Sequence, residues 1–214
     1  MTSGCFVTLD GPGGVGKSTT LNAVCESLRR AGTPVRATTE PSTSALGQFT
    51  RAHADQIKGH ALACLVAADR YEHIRDEIRP QLDRGNTVVC DRYLASTLVV
   101  QQLDGVPEQF LLDLNADILL PDLAVILTAD ASAIRQRLSQ RGAHHRFERD
   151  PDVPAREAAL YRRAERTVLG LGVPVLVIDT TNTTPSATAE RIASELRALT
   201  GNVASGPTDP AAAP

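Results

Sequence analysis

The sequence predicts an α/β fold in three layers, in which helices cover both faces of a five-stranded parallel sheet. Short, continuous apolar runs recur along the chain, and segments with the apolar spacing of helices separate them. Gly11, Glu40, Asp91 and Asp179 stand at the ends of four of these runs, and because parallel strands end at one edge of a sheet they are expected to share one cleft. The length of 214 residues fits one domain with a substantial core.

The apolar runs and the helical periodicity divide the chain into alternating elements. The predicted strands are Cys5–Asp10, Val35–Thr39, Thr87–Cys90, Asp122–Thr128 and Val173–Asp179. The first two predicted helices end near Arg30 and Ala54, and a long one spans about 59–84. Two short helices are expected between 93 and 122. The last three span about 132–140, end near Val168, and span about 186–199. Pro80 is expected to bend or shorten the long helix. The domain is expected over 1–200, with a disordered tail at 201–214 that has few bulky apolar residues.

A glycine-rich segment between the first strand and the first helix carries the strongest chemical signal. Gly11, four further residues and then Gly16-Lys17-Ser18 match the Walker A pattern of a P-loop NTPase, in the strand–loop–helix context that the pattern requires. Glycines let successive backbone N–H groups point at one anion, and the helix start adds its own. Lys17 is expected on the β- and γ-phosphates of ATP, and the Ser18 hydroxyl on Mg²⁺. The expected ATP-binding residues of the loop are Gly11, Gly13, Gly14, Val15, Gly16, Lys17, Ser18 and Thr19.

Composition argues against several other classes of protein. The net charge of −3 and the pI of about 5.9 provide no basic field for nucleic acid. Aromatic residues are 3% of the chain with no tryptophan, which leaves little for stacking on single strands. No apolar segment reaches membrane-spanning length, so a cytoplasmic protein is expected. The four scattered cysteines are expected to be reduced and buried rather than metal-binding or bridged; they are Cys5, Cys25, Cys64 and Cys90.

The pair Asp91-Arg92 at the end of the third strand distinguishes between kinds of P-loop protein. An acid beside a base suits an anionic ligand held with Mg²⁺: Asp91 is expected at the metal, where it orients a metal-bound water, and Arg92 binds a phosphate with two hydrogen bonds. The alternative is a surface ion pair that caps the next helix. The Asn-Lys-x-Asp segment by which GTPases read guanine is absent, and so is the acidic pair of a motor ATPase.

Taken together, the motifs resemble thymidylate kinase over about residues 4–200. The matching segments are 6–20, Thr39-Glu40-Pro41 with Leu46-Gly47, Ala67-Ala68-Asp69-Arg70, Asp91-Arg92-Tyr93 with Ser96-Thr97 and Gln101, 121–127, Arg141-Gly142 and Arg146-Phe147-Glu148. The resemblance implies transfer of the ATP γ-phosphate to a nucleoside monophosphate by a homodimer. In that comparison Arg92 would bind the acceptor phosphate, with Arg51 as a weaker candidate, and Arg70 would hydrogen-bond the thymine edge. The acceptor-binding residues that the resemblance implies are Glu40, Arg51, Val66, Arg70, Asp91, Arg92, Ser96, Val100 and Gln101.

The charged segment 141–154 is expected to form a mobile lid over the phosphates. Phosphoryl transfer needs positive charge around the transferring group and exclusion of water from it. Members of the family supply one catalytic arginine from the P-loop or from the lid, and this P-loop has none. Arg146 and Arg149 are therefore the expected catalytic arginines beside Lys17 and Arg92, and Arg141 is expected on ATP. His144 and His145 are expected to face solvent.

Departures from the family pattern cluster in the acceptor half. Gly13, Val66 and Val100 stand where the family usually has an acidic residue, a stacking Phe and a Tyr near the sugar. Loss of the stacking ring is expected to cost about 1–3 kcal/mol of base binding. The leading acceptor is dTMP. A modified pyrimidine monophosphate, a non-nucleotide phosphorylated or phosphonate acceptor, and a regulatory module without catalysis remain alternatives.

Overall fold

Five parallel strands form one sheet at the centre of the molecule, in the order β2-β3-β1-β4-β5. The structure, a computed structural model, describes residues 4–141 and 153–203. The strands are β1 (Phe6–Asp10), β2 (Val35–Thr39), β3 (Thr87–Asp91), β4 (Leu123–Thr128) and β5 (Val175–Asp179). Every neighbouring pair is parallel, so the predicted fold class is confirmed.

The helices that connect the strands agree closely with the periodicity of the sequence. In the described ranges they are α1 (Lys17–Arg30), α2 (Ala45–His53), α3 (Gly59–His73), α4 (Arg79–Asp83), α5 (Leu94–Leu103), α6 (Glu108–Leu114), α7 (Ala131–Arg141), α8 (Val153–Gly170) and α9 (Pro185–Val203). A π-helical segment, Ile74–Ile78, joins α3 to α4.

Pro80 does not end the long helix that the sequence predicts over 59–84. Because proline has no N–H to donate, an ordinary helical bond is lost at that position. The helix passes this point through its π-helical segment, in which the Arg79 N–H bonds to the Ile74 carbonyl. The segments α3 and α4 therefore follow one another without a loop between them.

The expected lid and the expected tail lie largely outside the described residues. Helix α7 ends at Arg141 and α8 begins at Val153, so the expected lid at 141–154 falls on residues 142–152, which lie outside the described ranges. Helix α9 continues to Val203, three residues further than the predicted domain end at 200. The lid and the disordered tail therefore stay predictions.

Alternating strand residues supply two apolar layers, one on each face of the sheet. Helices α1 and α9 pack on one face, where Val7 and Leu9 of β1 are buried. Helices α5 and α8 pack on the other, where Phe6 of β1 is buried against Tyr93 with an edge-to-face ring contact of 5.0 Å between centroids. Continuous apolar strands are thus explained by burial on both faces.

Three of the four cysteines are buried, as expected, and none of the four is bridged. Cys64 is the exception, because it lies on an exposed position of α3. No helix in the described part of the chain combines the length and apolar character needed to cross a lipid bilayer.

A tight contact between α2 and the segment after β2 explains one glycine of the family motif. A Cβ atom on Gly47 would lie 2.3 Å from the Ser42 carbonyl oxygen and 2.6 Å from the Ser42 nitrogen. Ser44 caps α2 by accepting a hydrogen bond from the Gly47 N–H at 3.1 Å. The segment 40–42 therefore lies directly against the first turn of α2.

Replacing Gly47 by alanine tests this contact. The added Cβ has to displace backbone atoms, so we expect Gly47→Ala to lower the free energy of unfolding by about 1–3 kcal/mol. Gly170→Ala at the end of α8 is the matched control, because no atom lies within 4 Å of its added Cβ. Urea unfolding measures both. Equal stability of the two variants would contradict the close contact.

Candidate active site

The glycine-rich loop curls between β1 and α1 with three glycines at positive φ. Gly11, Gly14 and Gly16 have φ angles of 146°, 76° and 104°. A Cβ on Gly11 would lie 2.5 Å from the Leu127 carbonyl oxygen, so a side chain cannot be accommodated there. Gly16 directly precedes α1, and no described side chain caps this helix. The first N–H groups of α1 therefore remain available to an anion.

Lys17 folds back over this loop. Its Nζ donates to the carbonyl oxygens of Gly11 at 2.8 Å and Pro12 at 2.9 Å. Burial and then the nearby Arg92 charge lower the pKa of Lys17 from 10.5 to about 7, although Asp91 and other carboxylates oppose the shift. A buried ammonium held between carbonyl groups lacks a full counter-charge, which an anionic ligand at the loop would supply.

The ends of β1 and β3 meet at a tight turn that begins α5. Asp10 ends β1, and its Oδ1 accepts hydrogen bonds from the N–H groups of Tyr93 at 2.9 Å and Ser96 at 2.8 Å. Arg92 between them has a φ of 74°, a left-handed conformation that costs an arginine about 1–2 kcal/mol. The Arg92 N–H donates to the Leu9 carbonyl at 2.8 Å. Such strain at a strand end is typical of functional positions.

Two carboxylate oxygens at the same turn have no hydrogen-bond partner among the described residues. The Ser18 hydroxyl donates to Asp91 Oδ2 at 2.9 Å, which joins the P-loop helix to the end of β3. Asp91 Oδ1 and Asp10 Oδ2 are buried and have no hydrogen-bond partner among the described residues. Buried polar atoms normally have partners, and oxygens of carboxylates and hydroxyls are the ligands that Mg²⁺ prefers. The sequence pointed to Ser18 and Asp91 but not to Asp10.

Arg70 lies inside the protein rather than on a pocket surface. It is 1% exposed. Its Nε and NH2 groups contact Glu40 Oε2 at 2.8 and 2.7 Å, NH2 donates to Thr97 Oγ1 at 2.8 Å, and NH1 donates to Asn115 Oδ1 at 2.6 Å. The guanidinium also lies 4.8 Å from the centroid of the Tyr93 ring. Burial lowers the pKa of Arg70, but Glu40, Tyr93 and Asp10 together raise it above its usual value, so the group stays charged.

This network leaves Arg70 little capacity for a ligand. Four of the five N–H groups of a guanidinium have partners here, and one N–H on NH1 has none among residues 4–141 and 153–203. Any contact of Arg70 with an acceptor is therefore limited to that one donor. The sequence pattern did not reveal Thr97 and Asn115 as its partners, because Thr97 lies on α5 and Asn115 directly follows α6.

Two adjacent residues of α3 hold the segment that follows β2. Asp69 accepts hydrogen bonds from the Ser42 N–H at 2.7 Å and the Ser42 hydroxyl at 2.6 Å, while Arg70 binds Glu40. The Glu40–Pro41 peptide bond between these contacts is cis. Arg51 of α2 is exposed and donates to the Pro41 carbonyl. The Glu-Pro and Ala-Ala-Asp-Arg motifs thus contact one another directly.

The remaining acceptor candidates surround this region on α3 and α5. Val66 and Val100 are half-buried, while Ser96 and Gln101 are buried. Ser96 Oγ and Gln101 Oε1 have no partner in the described part of the chain, and neither has the hydroxyl of Tyr161 on α8. Burial raises the pKa of Tyr161. No motif or spacing in the sequence had indicated Tyr161 as a site residue.

Several predicted residues lie elsewhere or are not described. Asp179 does not share a cleft with Glu40, because β5 and β2 are opposite edges of the sheet, four strand spacings or about 19 Å apart. Its Oδ1 accepts a hydrogen bond from the Thr181 N–H in its own turn. Gly13 is buried in the loop, and Thr19 is exposed on α1. Arg146, Arg149 and the side chain of Arg141 lie outside the described residues.

Comparison with known proteins agrees with this geometry. A sequence model of the family described as thymidylate kinase matches residues 9–182. The chain belongs to the thymidylate kinase family. It is therefore a phosphotransferase of the nucleoside monophosphate kinase class.

Relatives from distant organisms match most of the chain. The thymidylate kinase of Clavibacter sepedonicus is 38% identical over 208 residues, which are 92% of this chain and 94% of that protein. The probable thymidylate kinase of Caldivirga maquilingensis is 36% identical over 75% of this chain and 80% of its own length. The thymidylate kinase of Methylococcus capsulatus is 36% identical over 80% of this chain and 83% of its own length.

Arg137 of α7 is a further residue of this family member that the sequence did not single out. It donates to the Val15 carbonyl of the P-loop at 3.2 Å and to the Thr180 carbonyl after β5 at 2.7 Å. The Thr180 hydroxyl donates to the same Val15 carbonyl at 2.9 Å. The helix that leads into the expected lid is thus tied to the P-loop and to the turn after β5.

A buried trio beside the site offers metal-ligating atoms. Ligand atoms of Glu40, His73 and Cys90 lie within 4.8 Å of one another. Each already has a partner: Glu40 binds Arg70 and His73, and the Cys90 thiol donates to the Arg92 carbonyl at 3.1 Å. We therefore assign no metal to this trio.

Proposed function

We propose that the protein transfers the γ-phosphate of ATP to dTMP with the help of Mg²⁺. The observation that carries this proposal is the convergence of the P-loop with Asp10, Asp91 and Arg92 at the carboxyl ends of β1 and β3. A loop for polyphosphate and an arginine for a second phosphate lie on adjacent strands, as direct transfer between two phosphate-bearing molecules requires. Membership of the thymidylate kinase family supports the same reaction.

The donor side uses Lys17 and the amides of the loop. Lys17 and the uncapped start of α1 would bind the β- and γ-phosphates, and Arg92 would bind the acceptor phosphate. The reaction needs no phosphoenzyme, because attack by the acceptor phosphate oxygen on the γ-phosphorus displaces ADP in one step. Arg146 and Arg149 remain our proposed catalytic arginines and Arg141 a proposed ATP contact.

The oxygens at the strand ends fit Mg²⁺. Ser18, Asp91 and Asp10 would hold the ion, since two of the carboxylate oxygens are buried without a described partner. When bound there, Mg²⁺ would neutralise charge on the phosphates. Asp10 also accepts two backbone hydrogen bonds from the start of α5, so its carboxylate is already oriented.

The unused hydrogen-bonding groups on the acceptor side suit a thymine or uracil edge. Arg70 has one free donor on NH1, and Gln101 Oε1 is a free acceptor among the described residues. Gln101 lies one helical turn from Thr97, which contacts Arg70, so both groups face the same region. Thymine offers a carbonyl oxygen beside an N–H, whereas cytosine offers an amino group in place of that carbonyl.

Family membership does not favour a regulatory module or a non-nucleotide acceptor. A modified pyrimidine nucleotide keeps one supporting observation, because Val66 and Val100 are smaller than the aromatic residues that the resemblance implies. We also propose the homodimer that the resemblance implies, which a molar mass of twice the chain mass would support.

A panel of acceptors tests the proposed activity. With ATP and Mg²⁺, we expect dTMP and dUMP to stimulate ADP release, with kcat/KM about tenfold or more above that of dCMP. The panel includes 5-substituted dUMP analogues as the test of the smaller side chains at Val66 and Val100. A coupled ADP-release assay measures all of them. Failure of every monophosphate to stimulate ADP release would contradict the proposal.

Asp10→Asn tests the metal assignment. The amide oxygen can still accept the backbone hydrogen bonds of α5, but the charge next to the ion is lost. We expect the Mg²⁺ concentration for half-maximal activity to rise about tenfold or more. Asp117→Asn, an exposed change on the same background, is the control. An unchanged Mg²⁺ dependence in Asp10→Asn would remove Asp10 from the metal site.

The lowered pKa of Lys17 leads us to expect that the protein takes up a proton when ATP binds. With a pKa of about 7 in the free protein, Lys17 is mostly neutral at pH 8.5, and contact with phosphates raises its pKa. We therefore expect binding at pH 8.5 to take up a large fraction of one proton, and Lys17→Met to abolish this uptake. Calorimetry in two buffers of different ionisation enthalpy measures it. Equal proton uptake by both proteins would contradict the lowered pKa.

A further inference from the structure

We propose that His73 is a positioning residue for acceptor selection, which acts through Glu40 on the orientation of Arg70. The inference rests on the proposed function, because it assigns His73 a part in binding the acceptor base. His73 lies three residues after Arg70 on α3, so both side chains project from one face of the helix towards Glu40. All three side chains are at most 3% exposed.

The hydrogen-bonding pattern assigns the role of Nδ1 in the His73 ring. His73 Nδ1 lies 3.3 Å from Glu40 Oε1, and a carboxylate paired with Arg70 can only accept, so Nδ1 is the donor. His73 Nε2 lies 2.7 Å from the Thr38 hydroxyl, and Glu77 Oε2 lies 3.5 Å away on the outer side. The ring is thus held from β2 and presents a fixed donor to Glu40.

Glu40 divides its two oxygens between the two neighbours. Oε2 binds Arg70, and Oε1 has His73 as its partner among the described residues. With both oxygens bound, the carboxylate plane cannot turn, so the guanidinium that it pairs with is fixed in rotation as well. Asn115 binds NH1 of Arg70 and Thr97 binds NH2, whereas the described hydrogen bonds of the His73 ring go to Thr38 and Glu40.

Loss of the Nδ1 donor would free one oxygen of Glu40. The buried carboxylate would then turn to find another donor, and the one spare N–H of Arg70 would move with it. A displacement of this kind weakens contacts that depend on direction, such as a hydrogen bond to a base carbonyl, more than the distant P-loop contacts. We therefore assign His73 to acceptor selectivity and not to binding of ATP.

Two substitutions of His73 that introduce the same amide group on side chains of different length distinguish a positioning role from a general structural role. In His73→Asn the side-chain amide nitrogen can take the place of Nδ1 and donate to Glu40, whereas in His73→Gln it reaches the place of Nε2 beside Thr38. We expect His73→Gln to raise the KM for dTMP about tenfold, with the KM for ATP within about twofold. We expect His73→Asn to retain most of the affinity and most of the preference for dTMP over dCMP.

Thr38→Val is the control for the other side of the ring. It removes the partner of Nε2 and leaves Nδ1 facing Glu40, so we expect the KM for dTMP to stay within about twofold. Thermal unfolding of all three variants separates a loss of stability from a loss of selectivity. Equal KM values for dTMP in His73→Asn and His73→Gln, or an unchanged ratio of dTMP to dCMP activity in His73→Gln, would overturn the inference.

A second measurement uses the unmodified chain in case the histidine variants do not fold. In proton NMR of protein labelled with ¹⁵N-histidine, we expect the His73 Nδ1–H resonance to shift when dTMP binds and to stay in place when ATP binds alone. An unmoved resonance at saturating dTMP would overturn the role of His73. Absence of any transfer to dTMP by the unmodified chain would instead overturn the proposed function, and the inference with it.

Discussion

The parallel pairing of β1 with β3 is the constraint on which the site depends. Leu9 lies opposite Asp91 in the register, and the Arg92 N–H extends the ladder by binding the Leu9 carbonyl. The next residue of β1, Asp10, therefore meets the turn that begins α5 and accepts hydrogen bonds from it. A slip of one residue would turn each carboxylate to the other face of the sheet and separate the proposed metal ligands from the P-loop.

The site consists of two halves that different elements stabilise. The phosphate half rests on β1, α1 and the turn after β5, with Arg137 joining the latter to the P-loop. The proposed acceptor half rests on α3, where Asp69 and Arg70 bind the segment 40–42. Breaking one side of a buried ion pair such as Glu40–Arg70 leaves an uncompensated charge and typically costs about 3–5 kcal/mol.

Local patterns were sufficient to predict the fold and the P-loop, because both depend on neighbouring residues. Continuous apolar strands and the spacing Gly11 to Ser18 are visible in one stretch of chain, and the predicted fold class is confirmed. Contacts between distant segments were not visible. Asp10 read as the last residue of a strand and Arg70 as a surface donor, while His73 and Asn115 gave no signal. After folding, His73 contacts Glu40, Asn115 contacts Arg70, and Asp10 contacts the turn at Tyr93. Pro80 was expected to bend or shorten the long helix; α3 does end at His73, but the π-helical turn that follows it was not predicted.

The central claim is that donor and acceptor phosphates occupy one site and meet end to end. A bisubstrate ligand, in which an oligophosphate joins adenosine to thymidine, tests it directly by calorimetry. If both halves are occupied together, linking them makes the second contact intramolecular, and the Kd should fall at least about 100-fold below that of ATP or dTMP alone. A Kd no lower than that of ATP alone, or competition between free ATP and free dTMP for binding, would contradict the account.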